Sequence, residues 1–94
     1  MPQPLLRVRV TETGTDRPLM GALVTVSRST AEGREPLYVR VTDRQGRIED
    51  LMLMNGESYD ITAAAPGYFR QSDSFTADRP LIERTIRLAP LPEY

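Results

Sequence analysis

Apolar residues return at every second position along this chain, and turn-forming residues interrupt them about every 8–12 positions, which leaves a small all-β fold as the reading. Leu6, Val8 and Val10 alternate with Arg7, Arg9 and Thr11, predicting a first strand with one apolar face. Thr13–Pro18 is turn material, because Gly accepts positive φ and Pro fixes its own. Ala22, Val24 and Val26 predict a second strand, with Leu23, Thr25 and Ser27 on its other face. Residues 29–36 read as a polar link to a third strand at 37–42, with Val39 and Val41 turned to the core. Asp43–Gly46 turns the chain, and Arg47–Glu49 continues as a short strand.

Asn55–Gly56 is a hairpin signal, since both residue types tolerate left-handed φ. Tyr59, Ile61 and Ala63 then give a strand an inward face that ends at Pro66–Gly67. Phe69–Ala77 predicts a more polar edge strand, and Arg84–Leu88 closes the pattern with Ile86 and Leu88 inward. Short connections predict antiparallel neighbours, because parallel pairing needs a crossover of about a dozen residues. Two packed sheets also leave fewer open edges than one. The expected core is Leu6, Val8, Val10, Val24, Val26, Val39, Val41, Ile61, Ile86 and Leu88.

At 94 residues the chain is one domain, 1–94, with the sandwich over about residues 5–89. The tails, MPQP and APLPEY, are Pro-rich and extended, either frayed ends or cut linkers. A chain of this size buries roughly 60–65% of its unfolded surface, enough for one modest core. With two Phe, four Tyr and no Trp, that core is aliphatic. Dependence on a partner is in keeping with so modest a core. No Cys is present, which removes disulfides and thiol chemistry and tilts a domain this small toward the cytoplasm. Residues 1–15 lack the order of a signal peptide, although a trimmed chain would look the same, so a periplasmic or extracellular context stays open. No apolar run is long enough for membrane insertion by a helix.

Three motifs, taken in order, resemble the carboxypeptidase regulatory-like domains, a group with the transthyretin-like or prealbumin-like sandwich. They are Pro18–Leu19–x–Gly21–Ala22–x–Val24–x–Val26, Thr42–Asp43–x–x–Gly46–Arg47, and Gly56–x–x–Tyr59 followed by Ala65–Pro66–Gly67–Tyr68. Together they span residues 6 to 88. The resemblance implies a seven-stranded, antiparallel Greek-key β-sandwich and a non-catalytic structural or protein-interaction module within a larger assembly. In physical terms Gly21 allows a tight entry where a side chain would crowd the facing strand. Asp43 accepts backbone N–H bonds within its own turn, and Gly46 takes a left-handed conformation. Calcium at Asp43 would need several convergent oxygens, so turn formation is the stronger reading.

Chemistry has few residues to work with. The hydroxyisourate hydrolases, similar in fold, use histidines, an arginine and a C-terminal YRGS-like tail. This chain has no His and ends in LPEY, so a minimal hydrolase is disfavoured and no enzyme is expected. No cofactor or transition metal is expected either, since only hard oxygen ligands remain. All twelve basic residues are Arg, so Schiff-base, lysine-base and isopeptide chemistry are absent. Glu49 and Asp50 point to opposite faces of a strand, and Asp73 and Asp78 read as solvated edge charges. Ser27, Ser29, Ser58, Ser72 and Ser74 have no imidazole to activate them.

Thirteen acids balance the arginines, so nucleic acid is not an expected partner. Arg7 and Arg9 share one strand face, with Arg87 near them if the first and last strands meet, and cross-strand pairs to Glu12 or Glu83 account for them. The competing reading is a patch for an acidic partner. Leu51–Met54 alternates, so Leu51 and Leu53 go inward while Met52 and Met54 lie outward or at the rim, unless a bulge buries them. Exposed thioethers adapt to a partner surface. Met52 and Met54 are therefore candidate contacts for a protein partner, and a homo-oligomer is also open. Ser72, Ser74 and Thr76 mark a polar edge suited to strand addition. Carbohydrate binding, through Tyr38 and Tyr68, is the alternative outside protein docking.

Overall fold

The computed structural model describes residues 3–92. Seven strands form in chain order: β1 Leu5–Glu12, β2 Leu23–Thr30, β3 Gly33–Val41, β4 Leu51–Met52, β5 Ser58–Ala64, β6 Gln71–Thr76 and β7 Leu81–Leu88. They lie in two sheets, β4-β1-β7 and β3-β2-β5-β6. The facing sides close on an aliphatic core in which Leu6, Val8, Val10, Val24, Val26, Ile61 and Leu88 have no exposed surface. The expected sandwich is therefore the fold, and its core is mainly aliphatic as expected, except that the rings of Tyr59 and Phe75 are buried within it.

Four local expectations are corrected. First, β1 and β7 are parallel, in register from Leu5 opposite Leu81 to Glu12 opposite Leu88. The rule of short connections governs sequence neighbours, whereas these strands have the whole domain between them. Second, Val39 and Val41 are 55% and 61% exposed rather than inward. On β3 they lie opposite Thr25 and Leu23, while Tyr38 and Arg40 lie opposite the buried Val26 and Val24. Opposed residues share a face, so Tyr38 and Arg40 take the inner side.

The cause is the position of β3. It is an edge strand, and the facing sheet offers only the two-residue β4 there. Branched aliphatics would meet little core at this rim. Longer side chains span it: the Tyr38 hydroxyl donates to the Met52 carbonyl at 2.8 Å, and Arg40 Nε donates to Glu49 at 2.8 Å.

Third, residues 29–36 are not a link. β2 runs to Thr30 and β3 begins at Gly33, with a bulge where Val26/Ser27 meet Tyr38/Pro36. Conversely, Arg47–Glu49 forms no strand and contributes one bridge, Arg47 to Arg9. Fourth, β7 starts at Leu81, and the C-terminal tail is tied down as far as it is described. Phe69 N–H donates to the Ala89 carbonyl and Leu91 N–H to the Gly67 carbonyl, both at 2.8 Å. At the other end Leu53 N–H donates to the Pro4 carbonyl at 2.8 Å. The outermost tail residues lie outside the described residues.

The Thr42–Gly46 motif acts as expected. Asp43 Oδ1 accepts the N–H groups of Gln45 and Arg47 at 2.9 and 3.0 Å, and these bonds hold its carboxyl below the usual range. Gly46 has φ +73°, and a Cβ there would strike the Val10 carbonyl. Gly21 is a left-handed residue at φ +81° with open space around it, so backbone conformation rather than crowding selects glycine. The buried Thr42 hydroxyl clasps the same region, donating to Leu19 O at 2.6 Å and accepting from Ala22 N–H at 2.8 Å.

Candidate interaction surfaces

The Leu51–Met54 run has the expected parity. Leu51 and Leu53 are buried, while Met52 and Met54 are 57% and 54% exposed. Pairing with β1 sets the first half, Leu51 opposite Leu6 and Met52 opposite Leu5. The Tyr59 hydroxyl sets the second by accepting the Met54 N–H at 2.8 Å. The Arg28 guanidinium approaches Met54 Sδ at 3.8 Å.

The outer face of the larger sheet carries an apolar patch that the sequence reading missed. Val41, Leu23 and Ala64 align across β3, β2 and β5, and Val39 follows opposite Thr25. Leu23 and Leu37 are 45% and 40% exposed. The signal was present in Leu37–Val41, where Tyr and Arg occupy one parity and branched aliphatics the other. The aliphatic parity faces solvent and the Tyr–Arg parity faces inward, the reverse of the expectation.

Ser72, Ser74 and Thr76 lie on the outer face of β6, which is an edge strand as expected. Their hydroxyls are largely engaged within the sheet. Ser74 donates to Asp60 at 2.5 Å, Ser29 donates to the same carboxylate at 3.2 Å, and Arg34 lies 3.1 Å from it. The Ser74 bond leads these in holding Asp60 below the usual carboxylate range. Ser72 pairs with Thr62, and Thr76 with Ser58, at 3.4 Å each.

Arg7, Arg9 and Arg87 share the outer face of the smaller sheet, opposite Glu83, Thr85 and Thr11 respectively. Acids divide them. Arg7 makes a two-pronged bond to Asp50 at 3.1 and 3.0 Å and reaches Glu83 at 3.9 Å, and Arg87 meets Asp16 at 3.0 Å. The Arg7 bond lowers the Asp50 pKa. Glu12 is not a partner of these arginines. It accepts from the Tyr68 hydroxyl at 2.6 Å, from Thr15 at 2.9 Å and from Arg17 at 3.1 Å, and the Tyr68 bond dominates in lowering its pKa. Arg9 lines an open groove of about 740 Å³ with Gln45, Arg47 and Asp43. This face is a mixed-charge sheet surface rather than a concentrated cationic patch. Glu49 and Asp50 diverge to Arg40 and Arg7, so they do not form a carboxylate pair.

No protein-family model matches this chain. No curated protein matches it either. Solved structures do. 5-Hydroxyisourate hydrolase of Klebsiella pneumoniae superposes with a TM-score of 0.73 at 22% identity, over 95% of this chain and 92% of its own. The pilus 2b backbone protein of group B streptococcus gives 0.75 at 15% identity, over 94% of this chain and 41% of its own. Transthyretin from Sparus aurata gives 0.67 at 17% identity, over 89% of each chain. Identities this low carry the fold alone, and that fold is the transthyretin-like sandwich.

Proposed function

We propose that this chain is a non-catalytic structural or docking module that binds a protein partner through the flank formed by β3 and the Leu51–Met54 segment. The observation that carries this reading is exposed apolar surface on both sides of the β3–β4 edge. Met52 lies on the outer side of the smaller sheet opposite Leu5, Leu23, Val39 and Val41 lie on the outer face of the larger sheet, and the Tyr38–Met52 hydrogen bond closes the edge between them. Exposed apolar residues gathered in one place mark interaction surfaces, whereas scattered ones need no explanation. The same sandwich occurs in a pilus backbone protein, so the fold is compatible with a structural role. The three sequence motifs support a carboxypeptidase regulatory-like domain within the broader transthyretin-like fold.

Hydrolysis is less well supported despite the hydrolase neighbour, because this chain has no histidine to serve as base. Carbohydrate binding lacks a platform at the aromatic residues considered for it. Tyr38 and Tyr68 are half-buried, with their hydroxyls committed to Met52 and Glu12.

Capture from the native source tests the proposal with two folded variants, Met52→Asp/Met54→Asp and Val39→Asp/Val41→Asp. Loss of the captured protein in both is the expected result. Retention in both removes this flank from the account. Saturable glycan binding with no protein captured would favour the carbohydrate reading. Turnover by the purified chain that disappears in Glu49→Gln would favour hydrolysis.

A further inference from the structure

Among the described residues four strand edges are open: β4 and β7 in one sheet, β3 and β6 in the other. β4 has two residues, and β3 carries the bulge and Pro36, which has no N–H to offer. β7 runs eight residues without proline, glycine or bulge, and it pairs regularly with β1 along its length. Its other side is a row of unpaired backbone groups, a template for one more strand.

We propose that the occupant is a second copy of this chain, with the two β7 strands antiparallel about a two-fold axis through Thr85. The strand is self-complementary about that residue. On the outer face Glu83 meets the second copy's Arg87, Arg87 meets its Glu83, and Thr85 faces Thr85 between them. On the inner face Ile82 meets Leu88. Opposite charges directly across an antiparallel pair stabilise it, and like charges destabilise it.

Neighbouring registers lack this match. An axis through Arg84 sets two arginines face to face, and axes through Glu83 or Arg87 likewise oppose like charges. An axis through Ile86 leaves both charged residues without a charged partner. Both side chains are exposed, Glu83 at 67% and Arg87 at 58%, and a second copy's pairing would compete with Arg7, 3.9 Å from Glu83, and with Asp16, 3.0 Å from Arg87. Arg84 points inward, where its charge would discourage strand addition, but Asp73 at 3.6 Å and the Phe75 ring at 5.3 Å engage it within its own chain.

This contact goes beyond the proposed docking role and does not compete with it. β7 lies beside β6 on one flank of the sandwich, and β4 lies beside β3 on the other. A β7 dimer therefore presents two docking flanks, one at each end. The interface is isologous and closed, so it stops at two copies.

Sedimentation velocity across a concentration series tests the proposal on wild type, Glu83→Arg, Arg87→Glu and the double swap. Each single reversal should weaken the dimer by roughly tenfold or more, and the swap should return it to within about threefold of wild type. The chain has no cysteine, so Thr85→Cys gives an unambiguous second readout. It should cross-link to a reducible dimer much faster than an exposed control, Asn55→Cys, which keeps the test decisive if a reversal variant fails to fold. The proposal is overturned by a wild-type monomer at hundreds of micromolar. It is equally overturned by a dimer indifferent to single reversals, or by cross-linking at Thr85 no faster than at the control.

Discussion

The Met54 backbone N–H donates a 2.8 Å hydrogen bond to the Tyr59 hydroxyl across the Asn55–Gly56 turn. The Tyr59 ring is 1% exposed and stacked on Phe75 at 5.8 Å. A buried ring thus fixes the backbone that turns Met54 outward. Tyr59→Phe keeps the ring and removes the acceptor. It should cost about 1 kcal/mol in urea unfolding and speed amide exchange at Met54. Unchanged exchange there would mean that the bond does not hold the turn.

Gly46 and Gly67 both have positive φ, at +73° and +83°, but their surroundings differ. A Cβ at Gly46 meets the Val10 carbonyl, Leu19 N and Pro18, whereas one at Gly67 meets open space. Gly67→Ala should cost about 1–2 kcal/mol from backbone strain alone. Gly46→Ala should cost on the order of 3–5 kcal/mol, because the β1 backbone must also shift. Equal midpoints in denaturant would refute the close approach.

The reversed face of β3 predicts unequal valines. Val26→Ala and Ile61→Ala remove fully buried groups and should each cost on the order of 1–3 kcal/mol. Val39→Ala lies on the exposed face and should change stability by less than about 0.5 kcal/mol. Similar losses at Val39 and Val26 would return Val39 to the core.

Acid should destabilise the fold in a defined window. Asp60, bonded to Ser74, and Asp43, bonded to the N–H groups of Arg47 and Gln45, both have lowered pKa values. A carboxylate favoured by the fold contributes fully above its unfolded value, near pH 4, and its contribution is lost as pH falls through the lower folded value. Without histidine, no imidazole transition intervenes near neutrality. The urea midpoint should stay level from about pH 8 to pH 5, then fall in acid, with a shallower fall in Asp60→Asn. A midpoint that holds to about pH 2 would contradict the linkage.

Much of the fold was legible because the core strands have two-sided neighbours. β1, β2 and β5 each alternate buried Val, Leu, Ile or Ala with more exposed residues, so pattern and burial coincide. The reading failed where tertiary position outweighs pattern. Val39 and Val41 have core chemistry, but they sit on an edge strand over a two-residue neighbour. Parallel pairing of β1 with β7 joins the two ends of the chain, and local spacing carries no trace of it. Of the candidate contacts, Met52 and Met54 keep the outward parity of the run and are not buried by the bulge that the sequence left open, whereas the Leu23–Val39–Val41 patch needed the register of β2 with β3.

Hydrogen exchange of the chain, free and bound to its captured partner, tests the central claim most directly. Docking through the β3 and Leu51–Met54 flank predicts new protection at residues 37–41 and 51–54, with the core strands β1 and β5 unchanged. Protection confined to other surfaces, with residues 37–41 and 51–54 exchanging at the same rate free and bound, would contradict the account.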